Sequence, residues 1–284
     1  GVTSKYAMLT RPSGTGAVTD DGYGNSESIT GSVTEVRTGM RDDVLSGSDA
    51  NDRVILMAGN DSFDGRGGFD TVRYDRPGVD SVNADLALGT ATGVWRGEVF
   101  NHSLSNVESL RGSQEGNDTI RGDDDAESFR GNGGNDLLVG NGGNDTLEGG
   151  DGADTLNGGD GDDLLLGGAS EDDLRDVVFA GAGNDSVDGG AGNDDLNGGA
   201  GNDTMEGGAG ADTVIGNAGD DVLTGSAFSD LIFGGDGFDF INGGFGSDRV
   251  NGGDGADRFF HVGVAGHGSD WIQDFSDAEG DRLI

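Results

Sequence analysis

The apolar positions of this chain recur every nine residues over long stretches. From Ala180 to Phe260, nine units follow one another without insertion. In each unit, six turn-like residues precede a three-residue segment whose middle member, in the eighth place, is apolar. These eighth-place residues are Val187, Leu196, Met205, Val214, Leu223, Ile232, Ile241, Val250 and Phe259. Self-similarity at a fixed period is typical of solenoids, so the pattern predicts short stacked strands separated by turns.

The repeats divide the chain into blocks. The main block covers residues 180–260, and a second covers 113–179, where an irregular 13-residue unit occupies 167–179. A short degenerate block covers 38–73, with Asp43, Asp52, Asp61 and Asp70 in the sixth place. The remaining segments are interpreted as the end of a spacer (1–37), a β-rich spacer (74–112) and a C-terminal capping segment (261–284).

The two spacers resemble each other where they lead into a block. The segment 32–37 is similar to 106–111, which suggests that the chain is an excerpt from a longer repetitive protein. Within 74–112, Val82, Ala84 and Leu86 alternate with polar residues, which predicts a half-buried strand.

A three-residue strand buries too little apolar surface to be stable alone. Two nonapeptides can form one right-handed coil of 18 residues, so that successive strands fall alternately into two parallel sheets that share a thin core. The predicted fold is therefore all-β: a right-handed parallel β-roll, or two-sheet β-solenoid. Its glycines would supply positive φ angles and room in the turns.

Composition limits the partners. The chain has 54 acidic and 16 basic residues, a net charge of -38, a single lysine (Lys5) and no Cys. Nucleic acids and anionic membranes require basic residues, so both are excluded as partners. No stretch is long and apolar enough for a membrane span. Such acidity would normally favour disorder, unless cations neutralise it. Ca²⁺ suits turns rich in carboxylates and carbonyls better than Mg²⁺, which demands tight octahedral geometry.

Units such as GGAGNDDLN and GGAGNDTME follow the pattern G-G-x-G-x-D-x-U-x. This pattern resembles the RTX (repeats-in-toxin) hemolysin-type calcium-binding repeat. The segment 268–275, GSDWIQDF, is similar to the D-x-I-x-D-F segment that caps the roll in serralysin-like RTX proteins. The resemblance implies a parallel β-roll with several Ca²⁺ ions in its turns. It also implies type I secretion to the extracellular space or cell surface, although no C-terminal secretion signal is evident.

The resemblance further implies the ligands. Sixth-place aspartates of units i and i+2, with carbonyls of the glycine positions, would hold Ca²⁺. One side of the main block would use Asp185, Asp203, Asp221, Asp239 and Asp257, and the other Asp194, Asp212, Asp230 and Asp248. The remaining implied ligands are Asp52, Asp61, Asp70, Asp118, Asp136, Asp145, Asp154, Asp163, Asp172 and Asp176. Sequence leaves open whether Asp172 or Asp176 keeps the register of the irregular unit, which is expected to bulge.

Four departures from the repeat predict weaker or missing Ca²⁺. Glu127 replaces the sixth-place Asp of its unit, and Phe228 replaces the glycine in the second half of the turn. Arg41 and Ala50 replace the same glycine in the first block.

Neither H-E-x-x-H nor G-x-S-x-G occurs, so no zinc-protease or lipase motif lies within the chain, and no enzyme activity is expected. His102, His261 and His267 are widely spaced, and the last two are assigned to a capping loop. Trp95, Trp271 and the pair Phe259–Phe260 could form a sugar platform, but packing in the core or cap is preferred.

Two roles stay open. The first is a structural or adhesive region of a secreted protein, with self-association or contact with a cell-surface polysaccharide. The second is the C-terminal accessory and secretion module of a secreted protease, lipase or alginate epimerase. The residues preceding this region in the native protein would discriminate between them.

Overall fold

The computed structural model describes residues 35–170, 173–260 and 268–284, together with the strands at 18–19 and 26–28. These residues form two compact units. Unit one comprises Gly1–Asp123 with Ser128–Asn132, and unit two comprises Asp124–Glu127 with Gly133–Ile284. Every regular element in the described ranges is a β-strand, so no helix there could cross a membrane. The all-β prediction is confirmed.

Unit two is a two-sheet parallel solenoid in which successive strands alternate between the sheets. Its first sheet contains, in spatial order, β15 (Thr146–Asp151), β17 (Leu164–Gly168), β19 (Ser186–Gly190), β21 (Thr204–Ala209), β23 (Val222–Ala227), β25 (Phe240–Asn242), β27 (Arg258–Phe260) and β29 (Arg282–Leu283). Its second sheet contains β14 (Leu137–Gly142), β16 (Thr155–Asp160), β18 (Val177–Ala182), β20 (Asp195–Ala200), β22 (Thr213–Ala218), β24 (Leu231–Gly237), β26 (Arg249–Gly255) and β28 (Trp271–Ile272).

Unit one has the same two-layer arrangement. One sheet contains β1 (Val18–Thr19), β3 (Val36–Arg37), β5 (Arg53–Ile55), β7 (Thr71–Arg73), β11 (Ser109–Arg111) and β13 (Ser128–Gly133). The other contains β2 (Ser26–Ser28), β4 (Val44–Ser46), β6 (Ser62–Asp64), β10 (Glu98–Ser105), β9 (Thr90–Trp95), β8 (Val79–Asp85) and β12 (Thr119–Arg121).

The segment 74–112 inserts an antiparallel meander into the second sheet of unit one. Strand β9 pairs antiparallel with both β8 and β10, whereas β10 is parallel to β6 and β12 is parallel to β8. Val82 and Ala84 are buried as the alternation predicts, and Leu86 lies just beyond the end of β8. The insertion therefore lengthens the sheet by two strands without ending the stack.

Eighth-place residues form the core. All nine of those predicted in the main block are at most 3% exposed. In unit two they pair with the equivalent residues 18 positions away, as Leu196 does with Val214 and Met205 with Leu223. Each side chain thus contacts its counterparts in the coils above and below, and the core grows only by stacking.

Many strands of unit two are longer than the three residues predicted. Strand β20, for example, continues through the first three places of the next nonapeptide, and Gly199 and Ala200 pair with Asn217 and Ala218. Pairing can continue because successive coils have the same backbone shape. The second- and fourth-place residues of this turn, Gly199 and Gly201, have φ angles of 108° and 128°, which explains these two glycines of the motif.

The irregular unit places its four extra residues between β17 and β18. Beyond them the register resumes, because Val178 pairs with both Leu156 and Leu196. The expected bulge includes residues 171–172, which lie outside the described ranges.

Residues 268–284 add one strand to each sheet over the last coil. Ile272 pairs with Val250, and Leu283 pairs with Phe259. The carboxylate of Asp274 accepts hydrogen bonds from the backbone N–H groups of Gly252 (3.0 Å) and Gly253 (2.7 Å). The predicted capping loop with His261 and His267 lies outside the described residues, and the capping role stays a prediction.

We expect Leu223→Ala to destabilise unit two by about 2–5 kcal/mol, because Leu223 is fully buried between neighbouring coils. The matched control is Val222→Ala at the adjacent position, where the side chain is 42% exposed and loses little burial. Urea unfolding in saturating Ca²⁺, followed by far-UV circular dichroism, measures both. Equal shifts of the two midpoints would contradict the assignment of the eighth place to the core.

Candidate calcium sites

The sixth-place carboxylates are buried in the turns. Every predicted ligand in the described ranges is at most 3% exposed, although most sit in glycine-rich, otherwise polar turns. These are Asp52, Asp61, Asp70, Asp118, Asp136, Asp145, Asp154, Asp163, Asp176, Asp185, Asp194, Asp203, Asp212, Asp221, Asp230, Asp239, Asp248 and Asp257. Asp172 lies outside the described residues. Buried acids in such number require hydrogen-bond donors, protons or cations.

A hydrogen-bonded ladder joins the sixth-place residues of unit two. The backbone N–H of each sixth-place residue donates to Oδ1 of the equivalent residue in the next coil, so these residues form two columns. Most of the N···O distances are 2.7–3.0 Å. One column contains Glu127, Asp145, Asp163, Asp185, Asp203, Asp221, Asp239, Asp257 and Asp281. The other contains Asp136, Asp154, Asp176, Asp194, Asp212, Asp230, Asp248 and Asp270. The main-block aspartates thus fall into two columns, while their role as Ca²⁺ ligands stays a prediction.

The second carboxylate oxygen faces a small space beside the first-place residue. For Asp221 this oxygen, Oδ2, is buried and has no hydrogen-bond partner. A methyl group added to the Cα of Gly216 would contact Asp221 Oδ2 and would lie 2.6 Å from the carbonyl oxygen of Gly234 in the next coil. A carboxylate oxygen and a carbonyl oxygen thus converge on one space that no side chain occupies. We call this arrangement a cradle.

The cradle repeats along unit two. A carboxylate Oδ2 and a carbonyl oxygen of the next coil meet beside ten first-place glycines: Gly140, Gly149, Gly158, Gly167, Gly189, Gly198, Gly207, Gly216, Gly225 and Gly234. Buried acceptors without donors are costly, and a hard dication can coordinate both oxygens at once. The residues present therefore fit Ca²⁺. The cradle also explains the first glycine of the motif, because any side chain there would fill the space.

Carboxylates alone do not form these sites. In the parts of the chain that the structure describes, no group of three or more His, Cys, Asp or Glu side chains could hold a metal ion. At each cradle, a carbonyl oxygen of the next coil faces the same space as Oδ2, so backbone and carboxylate oxygens are both in place there. Such a mixed shell suits Ca²⁺, which accepts six to eight oxygen ligands, better than Mg²⁺.

In unit one some predicted ligands use their oxygens differently. The carboxylate of Asp118 accepts hydrogen bonds from Val82 N–H and from the backbone and hydroxyl of Ser113. Asp70 keeps the arrangement of unit two: its Oδ1 accepts from Asp52 N–H, and its Oδ2 is buried and has no hydrogen-bond partner. Glu108, from the spacer, extends this column by accepting a hydrogen bond from Asp70 N–H at 2.7 Å.

Asp61 lies in a buried polar cluster. Its Oδ1 accepts from Asp43 N–H, and its Oδ2 accepts from the Thr38 hydroxyl at 2.8 Å and lies 3.5 Å from Nε2 of His102. His102 is fully buried, and its Nδ1 is 3.0 Å from the Tyr74 hydroxyl. With both oxygens engaged, Asp61 fits a cation less well than Asp70.

In the irregular 13-residue unit, Asp176 keeps the register of the repeat. Asp176 is fully buried and takes the column position, because its N–H donates to Asp194 and its Oδ1 accepts from Asp154 N–H. Its Oδ2 faces the cradle beside Gly167.

Glu127 and Phe228, two of the four residues that depart from the repeat pattern, differ in their structural effects. Glu127 stays in its column, where it is 4% exposed and its backbone N–H donates to Asp145. Phe228 has a φ angle of 81°, a strained conformation for a bulky residue, and its side chain is 67% exposed. Reduced Ca²⁺ affinity at these turns stays a prediction.

The aromatic residues divide between core and surface. Trp95 and Phe259 are 7% and 3% exposed, which agrees with packing. For Trp271 the prediction of packing in the core or cap is wrong: its side chain is 62% exposed, with the Arg249 guanidinium 5.5 Å from the centre of its ring. Among the described residues, β28 is the last strand of its sheet.

Burial raises the pKa of the column aspartates from Asp154 to Asp257 above the ordinary value of 3.8, and neighbouring carboxylates add to the effect at most of them. The pKa of Asp176 rises to about 8. The pKa rises to about 7 for Asp163, Asp194, Asp230 and Asp239, and to about 6 for Asp154, Asp185, Asp203 and Asp248. Without a bound cation, these carboxyl groups therefore take up protons near neutral pH.

Fold and turns together define a class of protein: a two-sheet parallel β-roll whose turns carry columns of buried carboxylates. A family profile described as RTX calcium-binding nonapeptide repeat (4 copies) matches residues 38–72, 114–138, 139–174, 172–205, 198–232 and 224–259. These ranges cover more than half of the 284 residues, and the chain belongs to the RTX calcium-binding repeat family. A search of curated proteins finds no match. Calcium is the ion that these repeats bind, and their number implies several Ca²⁺ ions.

We expect Gly216→Ala to raise the Ca²⁺ concentration needed for folding several-fold, because the added methyl group would enter a cradle and press against backbone as well as side chain. Gly142→Ala is the matched control: its φ angle is not in the left-handed region, and the nearest atom to its added methyl group is 3.7 Å away. Circular dichroism during Ca²⁺ titration gives both midpoints. Indistinguishable midpoints would show that Ca²⁺ does not bind at the cradle.

In the absence of Ca²⁺, we expect acidification to favour folding. The folded chain binds more protons than the unfolded chain, because its column pKa values of about 6–8 exceed 3.8. This stabilisation is fully present below about pH 4 and is lost as the pH rises through about 6–8. Circular dichroism in EGTA should therefore show β structure increasing from about pH 8 to about pH 5.

The same titration in high salt separates buried from surface carboxylates, because salt screens exposed charges much more than buried ones. A transition that disappears in high salt would assign the effect to general surface repulsion. With Ca²⁺ present the dependence should reverse, since protons compete for the ligand oxygens.

Proposed function

We propose that this chain is a calcium-dependent structural or adhesive β-roll region of a type I-secreted extracellular protein, with no catalytic role of its own. The observation that carries the proposal is the repeated cradle, in which a buried carboxylate oxygen and a carbonyl oxygen of the next coil face a common space. Each such ion would join two adjacent coils. Binding and folding are then one process.

The expected stabilisation of the folded state by Ca²⁺ supports an extracellular setting. A ligand present at a concentration equal to its Kd stabilises the folded state by about 0.4 kcal/mol for each site. The ten cradles of unit two would together contribute about 4 kcal/mol, which approaches the whole stability of a typical domain. Sites with affinities typical of extracellular modules, about 0.1–1 mM, would thus be filled outside the cell and largely empty in the cytosol. Proteins with this repeat are also typically secreted.

The proposed ligands are the sixth-place aspartates. Oδ2 of each column aspartate and the first-place carbonyl of the next coil would coordinate Ca²⁺, while Oδ1 remains bound to a backbone N–H. Bound Ca²⁺ supplies the positive charge that lets the carboxylates stay ionised when buried. No step in this function requires a nucleophile or a general base.

The structural or adhesive role has support from the surface of unit two. Three turns carry exposed Phe side chains, Phe228, Phe238 and Phe245, each 65–67% exposed. Exposed aromatic groups of this size are suited to contact with another surface. If the residues that precede this region in the native protein contain a protease or lipase motif, the accessory role in a secreted enzyme replaces this part of the proposal.

The test is a calcium titration of the EGTA-treated chain followed by circular dichroism. We expect β structure to form on addition of Ca²⁺, and Asp221→Asn to shift the midpoint several-fold to higher Ca²⁺. The adjacent Asp220→Asn is the control, because it removes the same charge from an exposed side chain. A β spectrum that chelation leaves unchanged, or equal shifts in the two variants, would contradict the proposal.

A further inference from the structure

The irregular unit contains a buried carboxylate that the regular nonapeptides lack. Asp176 takes its column position, and Asp173 lies three residues earlier in the same turn. The side chain of Asp173 is only 7% exposed, although Asp173 is not the sixth-place residue of its unit. Its Oδ1 accepts a hydrogen bond from Leu174 N–H at 2.9 Å, whereas its Oδ2 is buried and has no partner of hydrogen-bond geometry. The backbone N–H of Ala191, which donates to the Gly168 carbonyl at 2.8 Å, also lies close to this carboxylate.

The unpartnered oxygen points to a definite place. A methyl group added to the Cα of Gly168 would lie 2.6 Å from Asp173 Oδ2 and in contact with the carbonyl oxygen of Gly150. At Gly199, the second-place glycine of a regular unit, the three nearest atoms all belong to the backbone of Gly181. The irregular unit therefore adds a carboxylate oxygen at a position where the regular turn has only backbone.

This place adjoins a column cradle. Gly167, the neighbour of Gly168, is the glycine beside which Asp176 Oδ2 and the next coil's carbonyl meet. Asp173 interacts electrostatically with Asp154 and Asp151, and it is the strongest carboxylate neighbour of Asp176. The turn thus places two buried carboxylates, those of Asp173 and Asp176, close together, and buried like charges repel strongly at low dielectric.

We propose that the irregular unit builds an additional Ca²⁺ position, with Asp173 Oδ2 and the Gly150 carbonyl oxygen among its ligands, next to the column position of Asp176. The inference rests on the proposed calcium-dependent folding of the roll. The four extra residues then serve to bring a second carboxylate into one turn. A hard oxygen-binding dication is the ligand, because the two polar atoms nearest to the space are both oxygens.

The experiment counts ions on the full chain by native mass spectrometry in saturating Ca²⁺, with calorimetry for the affinities. Asp173→Asn keeps the shape of the side chain and removes its charge, and we expect it to bind one Ca²⁺ fewer than the unmodified chain. Asp160→Asn, at an exposed position of the preceding unit, is the control and should keep the full number. Circular dichroism checks that all variants are folded.

The outcomes separate the two proposals. If the unmodified chain binds no Ca²⁺, the proposed function fails. If it binds Ca²⁺ and Asp173→Asn retains the same number and affinity, only the additional position is overturned, and Asp173 is a buried neutral acid. Asp173→Ser, which removes volume as well as charge, provides a second test: it must lose the same single ion.

Discussion

One hydrogen bond, repeated at every coil, determines the arrangement of the turns in unit two. The backbone N–H of each sixth-place residue donates to Oδ1 of its counterpart in the next coil, as Asp203 does to Asp221. The bond fixes the carboxylate in the turn and directs Oδ2 inward, beside the first-place glycine. A bond from N–H to an ionised oxygen contributes about 1.5–3 kcal/mol, but it also brings the carboxylate charge out of water. The geometry that orders the coils therefore creates the need for a positive ion.

Calcium dependence and pH dependence then have one origin. The column aspartates from Asp154 to Asp257 have raised pKa values because they are buried in the folded chain, so a proton or a cation would compensate their charge. A proton neutralises one carboxylate, whereas Ca²⁺ can also coordinate the carbonyl of the next coil and so join two coils. Folding in acid without calcium and folding in calcium near neutral pH would therefore share the backbone arrangement but differ in the strength of coil-to-coil contact.

Much of this could be predicted from the sequence, because a period of nine with one apolar and one acidic place fixes which residues lie inside. Leu223 in the core and Asp221 in a column follow directly from that period. The ladder could not be predicted, since periodicity shows where a carboxylate lies but not which oxygen meets which N–H. Asp173 was missed because it has no place in the repeat, and Glu108 because it belongs to a spacer. The exposure of Trp271 depends on which strand ends its sheet, which the local alternation of residues does not show.

The equivalence of successive coils also has an evolutionary consequence. Loss or duplication of a whole nonapeptide would move every later strand to the opposite sheet, where it would meet the same residue types: an eighth-place aliphatic, a sixth-place acid and a first-place glycine. Such recombination changes the length of the roll while leaving nearly every local environment intact. An insertion of another length can be accommodated inside a turn, as the irregular unit between Gly168 and Asp176 illustrates. The number of coils can therefore drift between related proteins, whereas the sequence within each coil stays constrained.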